Sequence, residues 1–162
     1  PYTRHAQWTI RNYLLHISKG ITLRMYWLAD QARLAHGCGT FNAAGLLEWD
    51  DDHGIGVPTY LKKPSWYWVK TLQNRLGDYL YKSETVTGDY VLQNYQHPIL
   101  SNLKAYVVWM KTASGITSTE TINVPGNYTL VEFNNTTTGS STTGTGSFSL
   151  LVTETPKIIL YE

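Results

Sequence analysis

Cysteine is almost absent. The single Cys38 rules out an intrachain disulfide and any Cys-x-x-Cys metal or redox pair. Charge is scarce as well: 13 Lys and Arg face 12 Asp and Glu, charged residues make up 15% of the chain, and the formal charge is +1. Such a balance gives no long-range field to capture phosphate backbones or an anionic lipid surface, which sets nucleic acid and membrane surfaces aside. No apolar run approaches the roughly 20 residues of a membrane-spanning helix. Pro1-Tyr2-Thr3-Arg4 is neither an initiator Met nor the opening of a signal peptide, so the chain is expected to begin inside a longer one. At 162 residues it is too short for a whole (β/α)8 barrel, which takes roughly 200 residues or more.

Aromatics are plentiful, but of one kind. Six Trp and 12 Tyr stand against 3 Phe, and hydrophobic residues reach 42%, enough for a packed core and incompatible with disorder. Trp and Tyr carry a flat apolar face and a polar edge, which suits a partnered core position or a surface that grips half-apolar rings such as sugars.

Along the chain, Ala6, Ile10, Tyr13, Leu14 and Ile17 recur at helical spacing, with Arg4, Gln7, Arg11 and Lys19 off the stripe, and Gly20 supplies the stop. Residues 21–28 are apolar or aromatic on both alternations, as in a strand covered on two faces. From 29 to 60 periodicity fails, and a long Gly-rich loop is expected, with an apolar island at Gly45-Leu46-Leu47 and an acidic cluster at Glu48-Trp49-Asp50-Asp51-Asp52. That cluster lacks the Gly and the distant Glu of an EF-hand loop and reads as a solvated surface, so no metal site is assigned. Pro64 opens a second helix with Trp68, Val69, Leu72 and Leu76 on one face and Gly77 at its end.

Composition then shifts near Asp78. Seven short alternating segments follow at 79–84, 90–95, 103–111, 117–123, 128–133, 148–153 and 157–162, divided by Gly, Pro and Asn turn signals, which is the pattern of an antiparallel sandwich. The Thr/Ser/Gly stretch 136–147 reads as a mobile hairpin loop. Alternation puts Leu103, Ala105, Val107 and Trp109 on one face of their strand and Tyr106, Val108 and Met110 on the other. A lone helix-strand-helix cannot cover its own strand, so residues 1–78 are expected to be the end of a larger α/β domain, and 79–162 an accessory β domain.

The order of parts resembles the tail of the clan A retaining (β/α)8-barrel glycoside hydrolases whose barrel runs into a small β-sandwich. The motifs that carry the resemblance are Arg11-Asn12-Tyr13-Leu14 with Gly20, then Met25-Tyr26-Trp27-Leu28-Ala29-Asp30, then Gly45-Leu46, and Lys63-Pro64 followed by Lys70-Thr71-Leu72. The resemblance implies a fold class of α/β plus all-β: the last helix-strand-helix of a (β/α)8 barrel, then an antiparallel β-sandwich. It implies a carbohydrate substrate, no cofactor, and a partner in the remaining barrel segment, on the same or a companion chain. The two catalytic carboxyls that retaining hydrolysis requires would lie upstream of Pro1, so no catalytic residue is assigned and the chain is expected to be inactive alone. The substrate-binding residues it implies are Trp27, as the ring stacked on the sugar, with Tyr26 and Asp30 beside it at the C-terminal end of the strand. Because neighbours on a strand point oppositely, only one of Trp27 and Tyr26 would face the barrel interior. Secretion or attachment to the cell envelope is the expected location.

Two other readings stay open from the residues themselves. One is a noncatalytic glycan-binding or adhesive β-sandwich, with Tyr79, Tyr81, Tyr90 and Tyr95 as an exposed row or, alternatively, as the contact with the barrel. The other is a structural interaction domain without a ligand.

Overall fold

A computed structural model describes residues 2–21, 45–50, 59–111 and 115–162. Helix α1 (Tyr2–Ser18) is followed by a short antiparallel pair, β1 (Leu47–Asp50) with β2 (Thr59–Lys62), and by helix α2 (Pro64–Leu76). The remainder is antiparallel β-structure: β3 (Leu80–Thr87), β4 (Tyr90–Gln96), β5 (Lys104–Met110), β6 (Ser118–Ile122), β7 (Asn127–Glu132), β8 (Ser140–Thr145), β9 (Phe148–Val152) and β10 (Lys157–Tyr161). Six of these strands form one sheet in the order β3-β4-β5-β10-β7-β8, and β6 pairs with β9 in a second. The described residues thus form two helices over a mostly antiparallel β-rich fold. Residues 21–28, expected as the last barrel strand, lie outside the described residues apart from Ile21.

Helix α1 ends, and α2 begins, where the sequence directs. Gly20 adopts φ 67°, and the amides of Gly20 and Ile21 close back on Ile17 and His16, so the left-handed residue satisfies carbonyls the helix leaves open. Pro64 occupies the first turn of α2, where a missing N–H costs nothing.

The large sheet separates two apolar layers. On one side Ala6, Ile10 and Leu14 of α1 and Trp68, Val69, Leu72 and Leu76 of α2 pack on Val91, Tyr95, Ala105, Val107, Trp109, Val131, Phe133 and Ile158. Trp68 stacks on Phe133 with centroids 5.3 Å apart. On the other side β6 and β9 contribute Ile122, Leu150 and Val152 against Val108, Met110, Ile159 and Tyr161. The alternation of β5 falls as its sequence requires: odd residues meet the helices, even residues meet the small sheet. Residues on both sides of Asp78 therefore share one apolar layer.

Polar contacts fix the helices in place. Gln93, fully buried, donates to the Leu14 carbonyl at 3.3 Å and to Glu84 Oε2 at 2.8 Å, and accepts from Tyr95 Oη at 2.6 Å. Each of its polar atoms is thereby satisfied in the core. From α2, Thr71, Asn74 and Arg75 donate to the carbonyls of Thr136, Thr137 and Thr138.

Three expectations change. The stretch 136–147, read as a hairpin loop, contains an eighth strand, β8, paired residue for residue with β7 from Asn127↔Thr145 to Glu132↔Ser140. Its Ser, Thr and Gly residues carry no hydrophobic alternation, and the neighbouring strand, not its own side chains, makes it extended. The loop expected over 29–60 includes the β1–β2 pair. Arg11, placed off the buried stripe of α1, is 9% exposed, because the β9–β10 turn brings Glu154 over it with Nη1 3.5 Å from Oε2.

Candidate functional site

The sugar-binding residues implied by the motifs, Trp27, Tyr26 and Asp30, lie outside the described residues. Trp49 sits in β1 opposite Tyr60. Trp66, in the first turn of α2, has Lys62 Nζ 4.3 Å above its ring and Tyr67 edge-on at 5.0 Å.

The four tyrosines considered as one exposed row are divided between two faces. Tyr79, Tyr81 and Tyr95 pack with the helix-side layer, and Tyr90 belongs to the opposite one. Tyr95 is 2% exposed, and burial, with smaller contributions from Tyr81 and Glu84, pushes its phenol well above the ordinary value. These rings cannot form a single flat platform, because strand alternation sends Tyr90 and Tyr95 to opposite sides of β4.

Two further surfaces stand out among the described residues. The first is the outer side of α1, where Trp8 is 57% and Leu15 51% exposed. Seven residues apart, they lie on one side of the helix, away from the Ala6, Ile10 and Leu14 stripe. The second is an open groove of about 560 Å³ at the far corner of the large sheet. Its floor is a row across three adjacent strands, Leu160 of β10, Thr129 of β7 and Thr143 of β8, set by the registers Leu160↔Thr129 and Thr129↔Thr143. Tyr79 stands as a wall, and Asn127, Thr145 and Glu162 form the outer rim.

The groove exists because α2 ends before the sheet does. Arg75, near the C-terminus of α2, reaches Ser141 Oγ at 3.2 Å, and Ser141 pairs with the buried Val131. The next helix-facing pair, Thr129 with Thr143, has neither described helix above it. Tyr79 is held by its amide on the Leu76 carbonyl at 3.0 Å and by the edge of His97, with centroids 5.7 Å apart at 85°. Burial, then the charges of Asp78 and Glu162, raise its phenol pKa, so the hydroxyl stays protonated and able to donate. Opposite Tyr128 stands Gly144, and a Cβ there would overlap the Tyr128 hydroxyl.

Among the described residues no group of three His, Cys, Asp or Glu could hold a metal ion, and no helix is long and apolar enough to cross a membrane. Glu162 is the one carboxylate among the groove's described lining residues, whereas two carboxyls about 5–5.5 Å apart are needed for retaining glycoside hydrolysis. The sequence reading missed the groove: its only linear trace is Thr143 and Thr145 at alternate positions of a segment taken for a loop.

No protein-family model matches the sequence, and no curated protein matches it. Among solved structures the chain is similar to a family 39 glycoside hydrolase from the gut symbiont Bacteroides cellulosilyticus WH2, with a TM-score of 0.67 at 17% identity. The likeness covers 97% of this chain and 30% of that one. Identity this low makes it a likeness of fold.

Proposed function

We propose that this chain is the C-terminal part of a glycoside hydrolase, supplying the last strand of a (β/α)8 barrel, a substrate-binding loop and an accessory β domain to an enzyme that acts on a polysaccharide or oligosaccharide. The observation that carries the reading is the fold likeness to a family 39 glycoside hydrolase over 97% of this chain, helices included. The motifs of α1 and α2 point to the same architecture independently of that likeness. Trp8 and Leu15 support it too, since the rest of a barrel would cover these two large apolar side chains that α1 exposes here.

In this reading the catalytic acid and nucleophile come from the remaining barrel segment, and this chain binds substrate through Trp27, or Tyr26 in its place, together with Asp30. Trp27 would lay its ring against the C–H face of a sugar, and Asp30 would accept from hydroxyls. An enzyme of insoluble or extracellular polymers works where the polymer is, so secretion or attachment to the cell envelope belongs to the same proposal.

A denaturing intact-mass spectrum of the native preparation tests it first. A second polypeptide, or a longer form of this one, large enough for the other seven strands is expected, together with hydrolysis of a glycan; this chain alone, folded and inert, overturns the reading. In the complete enzyme, Trp27→Ala is expected to weaken transition-state binding by about 1 kcal/mol, a roughly fivefold fall in kcat/KM. Unchanged kinetics would remove Trp27 from the site and leave the fold assignment standing.

A further inference from the structure

We propose that the corner groove floored by Leu160, Thr129 and Thr143 and walled by Tyr79 is a binding site for a neutral oligosaccharide. Its volume of about 560 Å³ falls within the roughly 300–1,000 Å³ of small-molecule sites. The floor row crosses three strands, and adjacent strands are about 4.8 Å apart. It therefore spans roughly 10 Å, with a second row of Asn127 and Thr145 one step further along β7 and β8. A ligand longer than one ring is accommodated.

The lining chemistry selects the class. Leu160 and Leu103 and the face of Tyr79 are apolar; Thr129, Thr143, Thr145, Asn127 and Glu162 bring hydroxyl, amide and carboxylate groups to the same groove. A purely apolar ligand would strip water from those polar groups and give them no partner, at a cost of about 1–3 kcal/mol for each one buried. An anionic ligand meets the opposite difficulty. None of the described lining residues is Lys, Arg or His, and Asp78 and Glu162 lie close enough to raise the Tyr79 phenol, so the local field repels phosphate, sulfate and uronate. A molecule with C–H faces, hydroxyl edges and no charge meets both conditions, and that describes a neutral sugar chain.

The groove is built to keep its shape. Thr129 is half-buried in a strand paired on both sides, and Tyr79 is fixed by its amide and by His97. Binding would therefore require little reordering of the walls.

The proposal is independent of the barrel reading, which has its own test in the second polypeptide and Trp27. Titrating the chain with neutral hexasaccharides of β-linked glucose, xylose, mannose and galactose, followed by amide chemical shifts, is expected to show saturable shifts confined to Tyr79, Thr129, Thr143 and Asn127 with at least one of them. Thr129→Val and Thr143→Val preserve strand shape and delete two hydroxyls; together they are expected to weaken that binding at least tenfold with an unchanged circular-dichroism spectrum. Oligogalacturonate is expected not to bind. Absence of shifts across the panel at millimolar ligand, binding indifferent to both Thr substitutions, or equal affinity for oligogalacturonate would each overturn it.

Discussion

The buried pair between Arg11 and Glu154 makes a sharply asymmetric prediction. Their side chains are 9% and 16% exposed, with the charged atoms 3.5 Å apart. At an effective dielectric of about 20 the Coulomb attraction is about 5 kcal/mol, comparable with the several kcal/mol each ion loses on leaving water. The intact pair is therefore close to neutral for stability, and its members are not equivalent. Among the described residues Nε, Nη1 and Nη2 of Arg11 have no hydrogen-bond partner, and burial lowers its pKa while the nearby Glu154 charge opposes that shift. Glu154 also accepts from the Gly115 amide at 3.2 Å and keeps some contact with water. Glu154→Gln leaves a buried cation uncompensated and is expected to cost about 3 kcal/mol. Arg11→Met keeps the apolar stem, leaves a carboxylate that retains a donor, and is expected to cost no more than about 1 kcal/mol. The double variant should resemble Arg11→Met alone, giving a coupling of about 2–3 kcal/mol. Urea denaturation followed by Trp fluorescence reads all three. A smaller cost for Glu154→Gln than for Arg11→Met, or strict additivity, would refute the argument that an unscreened guanidinium dominates this contact.

Gly139 opens β8 at φ 69°, and a Cβ there would stand 2.6 Å from the Glu132 carbonyl, 2.9 Å from Val131 Cγ1 and 3.2 Å from Thr71 Cγ2. Gly139→Ala is expected to destabilise by about 2 kcal/mol and lower the melting temperature by about 4–8 °C; an unshifted melt would show that the α2–β8 contact gives way freely. The Tyr90 phenol is pushed up to about 12 by burial, then by Glu120 and Tyr106. Since the folded state holds this proton more tightly, the stability it contributes is complete below pH 10 and lost as pH climbs from about 10 to about 12. Tyr90→Phe is expected to flatten the alkaline fall in unfolding free energy over that window, and an unchanged slope would remove Tyr90 from its cause.

Much of the scaffold was legible because its signals are local. The Ala6, Ile10, Leu14 spacing and the terminal Gly20 define α1; Pro64 and the Trp68, Val69, Leu72, Leu76 face define α2. Odd and even residues of β5 separate into two apolar layers as their alternation demands. In each case the pattern of burial repeats at the period of the element itself, so a short window of sequence contains the information.

Pairing and juxtaposition were decided only in three dimensions. The Thr- and Ser-rich β8 has no hydrophobic period, and it is a strand because β7 takes up its backbone groups while the donors of α2 hold the carbonyls of Thr136, Thr137 and Thr138 just before it. Arg11 is buried because a turn far along the chain covers it. The groove joins Leu160, Thr129 and Thr143, distant in sequence and adjacent only through strand register. A hydrogen-bond ladder or a groove floor depends on which backbone lies alongside, and that depends on the whole fold.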